Sequence, residues 1–422
     1  MAAAGAADIY VSQSTGKKKA AGTKEDPFKA MFDALNAAKP GDTLHVAEGS
    51  YAGKAGVSQI IIEKPVTILG GYTADFSARD VLKHPTLVQP KNEKNDTKGL
   101  GVVILKLPAG KQPPMTLDGL VIDQGLMNSY HDTKGKPEGV ETGMYLDPPA
   151  KNAADKFPSA KTYSLYSETQ GRYEGDLTIR NCVFANASMN AVNVSQYAGT
   201  VKVLNNVFIA NRLEACNVSC SNAKAGALEV EFAYNTVFFT WSRLDDLADM
   251  GYGFRCMTNV NCNIHHNIFG LNVFAGVDNA KGNPKSKKIK LDNNVFFLNR
   301  IADVTQVVSP NILKVKVGTE EFDDMADFDG MESVEGNVSV KDPALFKGAI
   351  NQAYLSGFLN VTYTEKTSYD ENSPANVFRE AMGMNKVGKI ETKVSMFANR
   401  YPLADAYKLF GVYKDYGAQA IK

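Results

Sequence analysis

Leu177-Thr178-Ile179-Arg180-Asn181-Cys182-Val183-Phe184 decides the fold, because the same pattern returns along the next hundred residues. Its further copies are Val201-Lys202-Val203-Leu204-Asn205-Asn206-Val207-Phe208 and Val230-Glu231-Phe232-Ala233-Tyr234-Asn235-Thr236-Val237-Phe238. Cys262-Asn263-Ile264-His265-His266-Asn267-Ile268-Phe269 and Ile289-Lys290-Leu291-Asp292-Asn293-Asn294-Val295-Phe296 follow. Each copy alternates apolar and polar residues, passes through an amide or small polar residue, and ends on an apolar pair closed by Phe. Aligned on the polar position, Cys182, Asn206, Asn235, Asn267 and Asn294 are 24, 29, 32 and 27 residues apart. A period in the twenties that tolerates insertions marks a solenoid.

A period of two, rich in Val, Ile and Phe, reads as strand. Such a strand buries one face, and stacking each coil on the next supplies both hydrogen-bond partners and core. Equivalent side chains of successive coils then stand about 4.8 Å apart. An Asn stacked on an Asn can donate and accept along the column, satisfying turn groups that water does not reach. The expected fold is all-β: a single-stranded, right-handed parallel β-helix.

The chain has 422 residues, 46 basic and 46 acidic. A net charge of zero gives no general attraction to nucleic acid or to an anionic membrane, and no apolar run is long enough to span one. The five cysteines, 182, 216, 220, 256 and 262, show no metal-ligand spacing and read as small core residues. Cys220 and Cys256 align as neighbours on adjacent coils, so a disulfide between them is open.

Near the start, Asp8 to Ser12 reads as a strand, with Asp26 capping a helix that has Pro27 at its first position and Phe28, Met31, Phe32 and Leu35 on one face. Pro40-Gly41-Asp42 ends that helix, which would cover the otherwise open first coil. Residues 126–174 form an insertion rich in tyrosine, including Tyr130, Tyr163 and Tyr166; loops of this length are commonly functional. Residues 1–349 read as the β-helix with its cap, and 350–422 as a C-terminal cap packed on the last coils.

Ile9-Tyr10-Val11-Ser12, Gly22-Thr23, Asp26-Pro27-Phe28, Pro40-Gly41-Asp42-Thr43, Gly70-Gly71-Tyr72 and Gly336-Asn337-Val338 resemble phrases of the secreted right-handed parallel β-helix superfamily. That superfamily includes polysaccharide lyases. The resemblance implies a secreted, periplasmic or cell-surface protein with polysaccharide as partner. The opening Met1 to Ala7 lacks a signal peptide's basic and apolar regions, and reads as a mature chain with an initiator Met.

The strands after each polar turn align as Val192-Asn193-Val194-Ser195, Cys216-Asn217-Val218-Ser219, Tyr252-Gly253-Phe254-Arg255, Gly276-Val277-Asp278 and Asp303-Val304-Thr305. Two outward columns follow: Asn193, Asn217, Gly253, Gly276, Asp303, and Ser195, Ser219, Arg255, Asp278, Thr305. In the lyases of the superfamily the corresponding face is catalytic. Abstracting a proton beside a uronate carboxylate needs a cation to neutralise that carboxylate and a base nearby. Arg255 and Asp278 are the candidate catalytic pair. Trp241, Asn217, Asp303, Lys281, Lys285 and Tyr130 are candidates for holding substrate, and Asp245, Asp246 and Asp249 for holding Ca²⁺. A surface ion pair is the bland alternative for Arg255 and Asp278. The Asp and Gly-His-Gly words of polygalacturonases are absent. The reading is a secreted or cell-surface protein that recognises an acidic polysaccharide, with β-elimination as the open catalytic question. The alternative is a non-catalytic structural or adhesive protein that self-associates.

Overall fold

A computed structural model describes residues 5–53, 59–90, 101–124, 163–167, 172–187, 189–224, 226–241, 250–257, 259–280, 288–308, 311–328, 330–340, 342–362, 371–386 and 400–421. Three long sheets run the length of the molecule. The first has ten strands, from Asp8–Val11 to Met331–Ser333, and the second has nine, from Gly49–Tyr51 to Val338–Ser339. The third, also of nine, begins at Ile60–Ile62 and ends at Asn311–Val315. Every pairing in these sheets is parallel except the last of the third, where Ala302–Val308 turns back antiparallel on Asn311–Val315. The resemblance to right-handed parallel β-helix proteins holds in the coordinates. Among the described residues no helix is long and apolar enough to cross a membrane.

The repeat lands rung on rung. Val203 faces Phe232, Phe232 faces Ile264, and Ile264 faces Leu291. Inside, Phe184 stacks on Phe208 at 5.0 Å and Phe269 on Phe296 at 5.4 Å. Between them the second sheet offers the smaller Val237, and Phe232 of the first sheet leans in to sit 6.0 Å from Phe208 and 5.9 Å from Phe269.

The Asn column is a continuous hydrogen-bonded ladder. Asn206, Asn235, Asn267 and Asn294 each accept, on the side-chain oxygen, the backbone N–H of the preceding rung, at 2.9–3.1 Å. Asn337 extends it by one. The residue before each rung turns the chain through the left-handed region, with φ of 54° at Asn181, 58° at Asn205, 55° at Tyr234 and 54° at His266 and Asn293. A second ladder, not foreseen, lies at the next corner. Asn211 serves Ala187, Asn272 serves Thr240, and Asn299 serves Asn272 in the same way.

The N-terminal end is closed by Met31–Ala37, with Met31, Ala34 and Leu35 buried. Asp26 does not cap this helix. It accepts from the Ala21 N–H and the Lys17 ammonium instead, because the chain makes a further bend before the helix starts. The other end is plugged by the short helical turns Glu320–Asp323 and Asp324–Asp327, whose Phe322 and Met325 enter the core.

The C-terminal residues reach the last coils and extend back over the earlier ones. Phe346, Tyr354, Phe358, Phe378, Tyr401, Ala406 and Leu409 pack along the outside of the second sheet, on Val121, Val183, Val207, Ile209, Phe238, Val295 and Phe297. Arg400 pairs with the buried Asp123, Tyr401 N–H donates to Asn186, and Gln419 N–H donates to Asn205. The cause is the apolar pair in each repeat: if Phe208 points in, Val207 points out, and an outward apolar row needs a cover.

Candidate functional site

The third sheet carries the polar face. Tyr166, Asn193, Asn217, Arg255, Asp278 and Thr305 follow one another in direct register on successive coils. Arg255 therefore stands beside Asn217, where the sequence alignment put it beside Ser219. A slip of two residues keeps the side chain on the same face, since side chains alternate with a period of two. The slip also sets Cys256 opposite Val218, away from Cys220, so the disulfide left open between them is not formed.

The other proposed column dissolves. A Cβ on Gly253 would lie 2.9 Å from Phe269, and one on Gly276 would lie 2.8 Å from Phe296, so both positions face the core. Asp303 is buried beside them. It accepts from the Asn299 side chain at 3.0 Å and the Val317 N–H at 3.1 Å, fastening the antiparallel return strand, and burial pushes its pKa up. Nothing leaves it open to substrate.

Arg255 is the centre of the site. Its Nη1 donates to Glu214 Oε1 at 2.6 Å, and its Nε lies 2.8 Å from Asp278 Oδ2. The Nε–H is not aligned with that oxygen, so the second contact is an ion pair without a proper hydrogen bond. Glu214 Oε2 accepts from Asn217 at 2.7 Å and Asn190 at 2.5 Å, and Thr305 donates to Asp278 Oδ1 at 2.6 Å. The guanidinium also lies over the Tyr252 ring, 5.1 Å from its centre. Tyr163 and Tyr166 stack at 4.8 Å three rungs toward the N-terminal end of the same sheet.

The carboxylates are almost wholly buried, with side-chain exposures of 4% for Glu214 and 2% for Asp278, against 21% for Arg255. Burial pushes the Asp278 carboxyl above its ordinary value, although Arg255 and Thr305 pull the other way. Burial also works against the Arg255 charge, but Glu214 and Asp278 more than offset it, and its pKa lies above the ordinary value. Tyr163 is raised by burial, then by Tyr166 and Glu214.

One cation already answers two carboxylates, so the cluster holds no uncompensated positive charge for an incoming uronate. Arg255 is thus paired on both sides, by Glu214 and by Asp278. What remains is a wall of amides, hydroxyls, one partly exposed guanidinium and tyrosine rings.

Trp241 is not part of that wall. It is buried, and its Nε1–H donates to the Tyr354 hydroxyl at 2.9 Å, with Phe358 edge-on at 4.8 Å. It joins the C-terminal segment to the coils. Since it is the chain's single Trp, its emission is expected to be blue-shifted and poorly quenched by acrylamide. Added polysaccharide should leave the emission unchanged; a spectral shift on adding polysaccharide would put Trp241 back at the ligand face. Lys281, Lys285, Tyr130, Asp245, Asp246 and Asp249 lie outside the described residues.

Glu214 and Asn190 were not legible beforehand, although an acidic residue inside the run Leu213-Glu214-Ala215-Cys216 is a signal. Leu213 turns through φ 61°, which throws Glu214 outward against the strand's alternation. His265 and His266 lie with Nδ1 atoms 3.0 Å apart, His265 lowered by burial and then by His266. Among the described residues no group of three His, Cys, Asp or Glu side chains is placed to hold a metal ion.

The fold defines a parallel β-helix whose third sheet carries a hydrogen-bonded polar cluster on its outer face. A family model described as "Protein of unknown function (DUF1565)" matches residues 14–115, the cap and first coils. No curated protein matches the chain. Among solved structures it is similar to the pectin methylesterase from Aspergillus niger, at 13% identity over 81% of this chain and 87% of that one, with a TM-score of 0.31. Pectate lyase Pel9A is similar at 12% identity over 75% and 80%, with a TM-score of 0.36. The pectin methylesterase PemA from Erwinia chrysanthemi is similar at 9% over 79% and 91%, with a TM-score of 0.29. At these identities and TM-scores the likeness carries no argument about what this chain binds.

Proposed function

We propose that the protein binds a carbohydrate along the outer face of the third sheet, through hydrogen bonds to sugar hydroxyls. The supporting observation is the partly exposed Tyr166, Asn193 and Arg255, in register on one column whose buried Asn217 and Asp278 sit in the Glu214 and Thr305 hydrogen-bond network. Planar polar groups fixed in orientation, beside stacked tyrosines, suit a ligand with many hydroxyls and flat apolar patches. Arg255 serves as an oriented donor in this reading. With formal charges of one plus and two minus at its centre, the face favours a neutral glycan over an acidic one.

Affinity electrophoresis on neutral and uronate polysaccharides tests this, with Ser219→Trp as the blocking variant. Ser219 is partly exposed on the same strand, outside the buried network. A neutral glycan is expected to retard the wild-type chain and to lose its hold on the variant, whose unfolding midpoint stays unchanged. No unsaturated product should form from a uronate polymer. Absence of retardation by every glycan, or equal retardation of the variant, contradicts the proposal.

A further inference from the structure

Cys256 and Cys262 face each other inside the first corner after the Arg255 strand. Cys256 ends Tyr252–Cys256 of the third sheet, and Cys262 lies in Val260–His265 of the first. Both belong to the core, at 0% and 2% exposure, and their sulfurs are in contact at 2.6 Å. Unbonded heavy atoms settle about 3.5–4.0 Å apart, so two thiols crowded together here are poorly accommodated. The remaining cysteines are separated from this pair by the coil register: Cys216 faces Phe254, and Cys220 faces Gln196.

We propose that Cys256 and Cys262 form an intrachain disulfide in the mature protein. The two thiols lose two protons and two electrons to a disulfide oxidant such as glutathione disulfide, which is cleaved to two thiols as the new S–S bond forms. The loop closed is short, so the entropic effect on the unfolded chain is small. The consequence is local: the strand end next to Arg255 is tied to the first sheet, fixing the backbone that carries the guanidinium. The bond persists only in an oxidising compartment.

The test uses the full chain, oxidised with glutathione disulfide, denatured, and alkylated without reductant. Trypsin cuts after Arg255 and next after Lys281, so peptide 256–281 carries both cysteines. That peptide is expected to take no alkyl group and to run two hydrogen masses light, while Cys182, Cys216 and Cys220 alkylate fully. Cyanogen bromide cleavage after Met257 should leave the halves joined until reductant is added. Two alkyl groups on peptide 256–281, or a link from either cysteine to a third, overturns the proposal.

Discussion

Asn235→Ala is expected to lower the stability of the β-helix by about 3–5 kcal/mol. Its side chain makes four hydrogen bonds. The oxygen accepts from the Asn206 N–H and Asn206 Nδ2 at 3.0 Å each; the amide donates to the Val203 carbonyl at 2.8 Å and to Asn267 at 3.1 Å. Truncation leaves the Asn206 N–H buried without its acceptor, worth about 1–3 kcal/mol, and removes further bonds at about 0.5–1.5 kcal/mol each. Lys202→Ala, on the outward side of the neighbouring strand, should fall within about 0.5 kcal/mol of wild type. Urea unfolding of both variants measures the difference. A loss under about 1 kcal/mol for Asn235→Ala would mean the ladder bonds are replaceable by water.

Arg255→Met is expected to cost about 3–5 kcal/mol at neutral pH, because it leaves two buried carboxylates facing each other without a cation. The deficit has a pH signature. Burial raises the folded pKa of Asp278 above its unfolded value. A raised carboxyl contributes stability that is fully present below the unfolded pKa and is lost as pH rises through the folded one. Removing Arg255 takes away a lowering influence, so the folded pKa rises further and the window above the ordinary value of 3.8 widens upward. The variant's deficit should therefore shrink steadily as pH falls from neutral toward that value. Unfolding curves at several pH values read this directly. A deficit that is independent of pH, or larger in acid, would show that Glu214 and Asp278 are not the groups Arg255 compensates.

The first ladder was legible because Asn recurs at Asn206, Asn235, Asn267 and Asn294 with strands of matching length on either side. The second was hidden because Ala187 and Thr240 replace Asn in the series that includes Asn211, Asn272 and Asn299. Arg255 and Asp278 were correctly placed side by side, since the repeat between them carries no long excursion. The rung before them slipped because the repeat lengthens to 32 residues between Asn235 and Asn267, and strand register is not fixed by spacing alone when the spacing changes. The burial of Trp241 was beyond local reading. It depends on residues more than a hundred positions away, whose docking follows from the outward apolar row of the second sheet. That row was visible in each Val-Phe pair, as two neighbouring apolar residues that cannot both point inward.

The stacking of coils is tested most directly by cross-linking designed cysteines on the outward face of the first sheet. Lys202 and Glu231 are partners on adjacent rungs, and Lys202 and Asn263 are two rungs apart. Adjacent parallel strands lie about 4.8 Å apart, and two rungs about 9.6 Å, while a disulfide spans Cα atoms about 4.4–6.8 Å apart. Lys202→Cys with Glu231→Cys should close to an intrachain disulfide on mild oxidation, and Lys202→Cys with Asn263→Cys should not. Failure of the first pair, or equal closure of both, would contradict the rung-by-rung register.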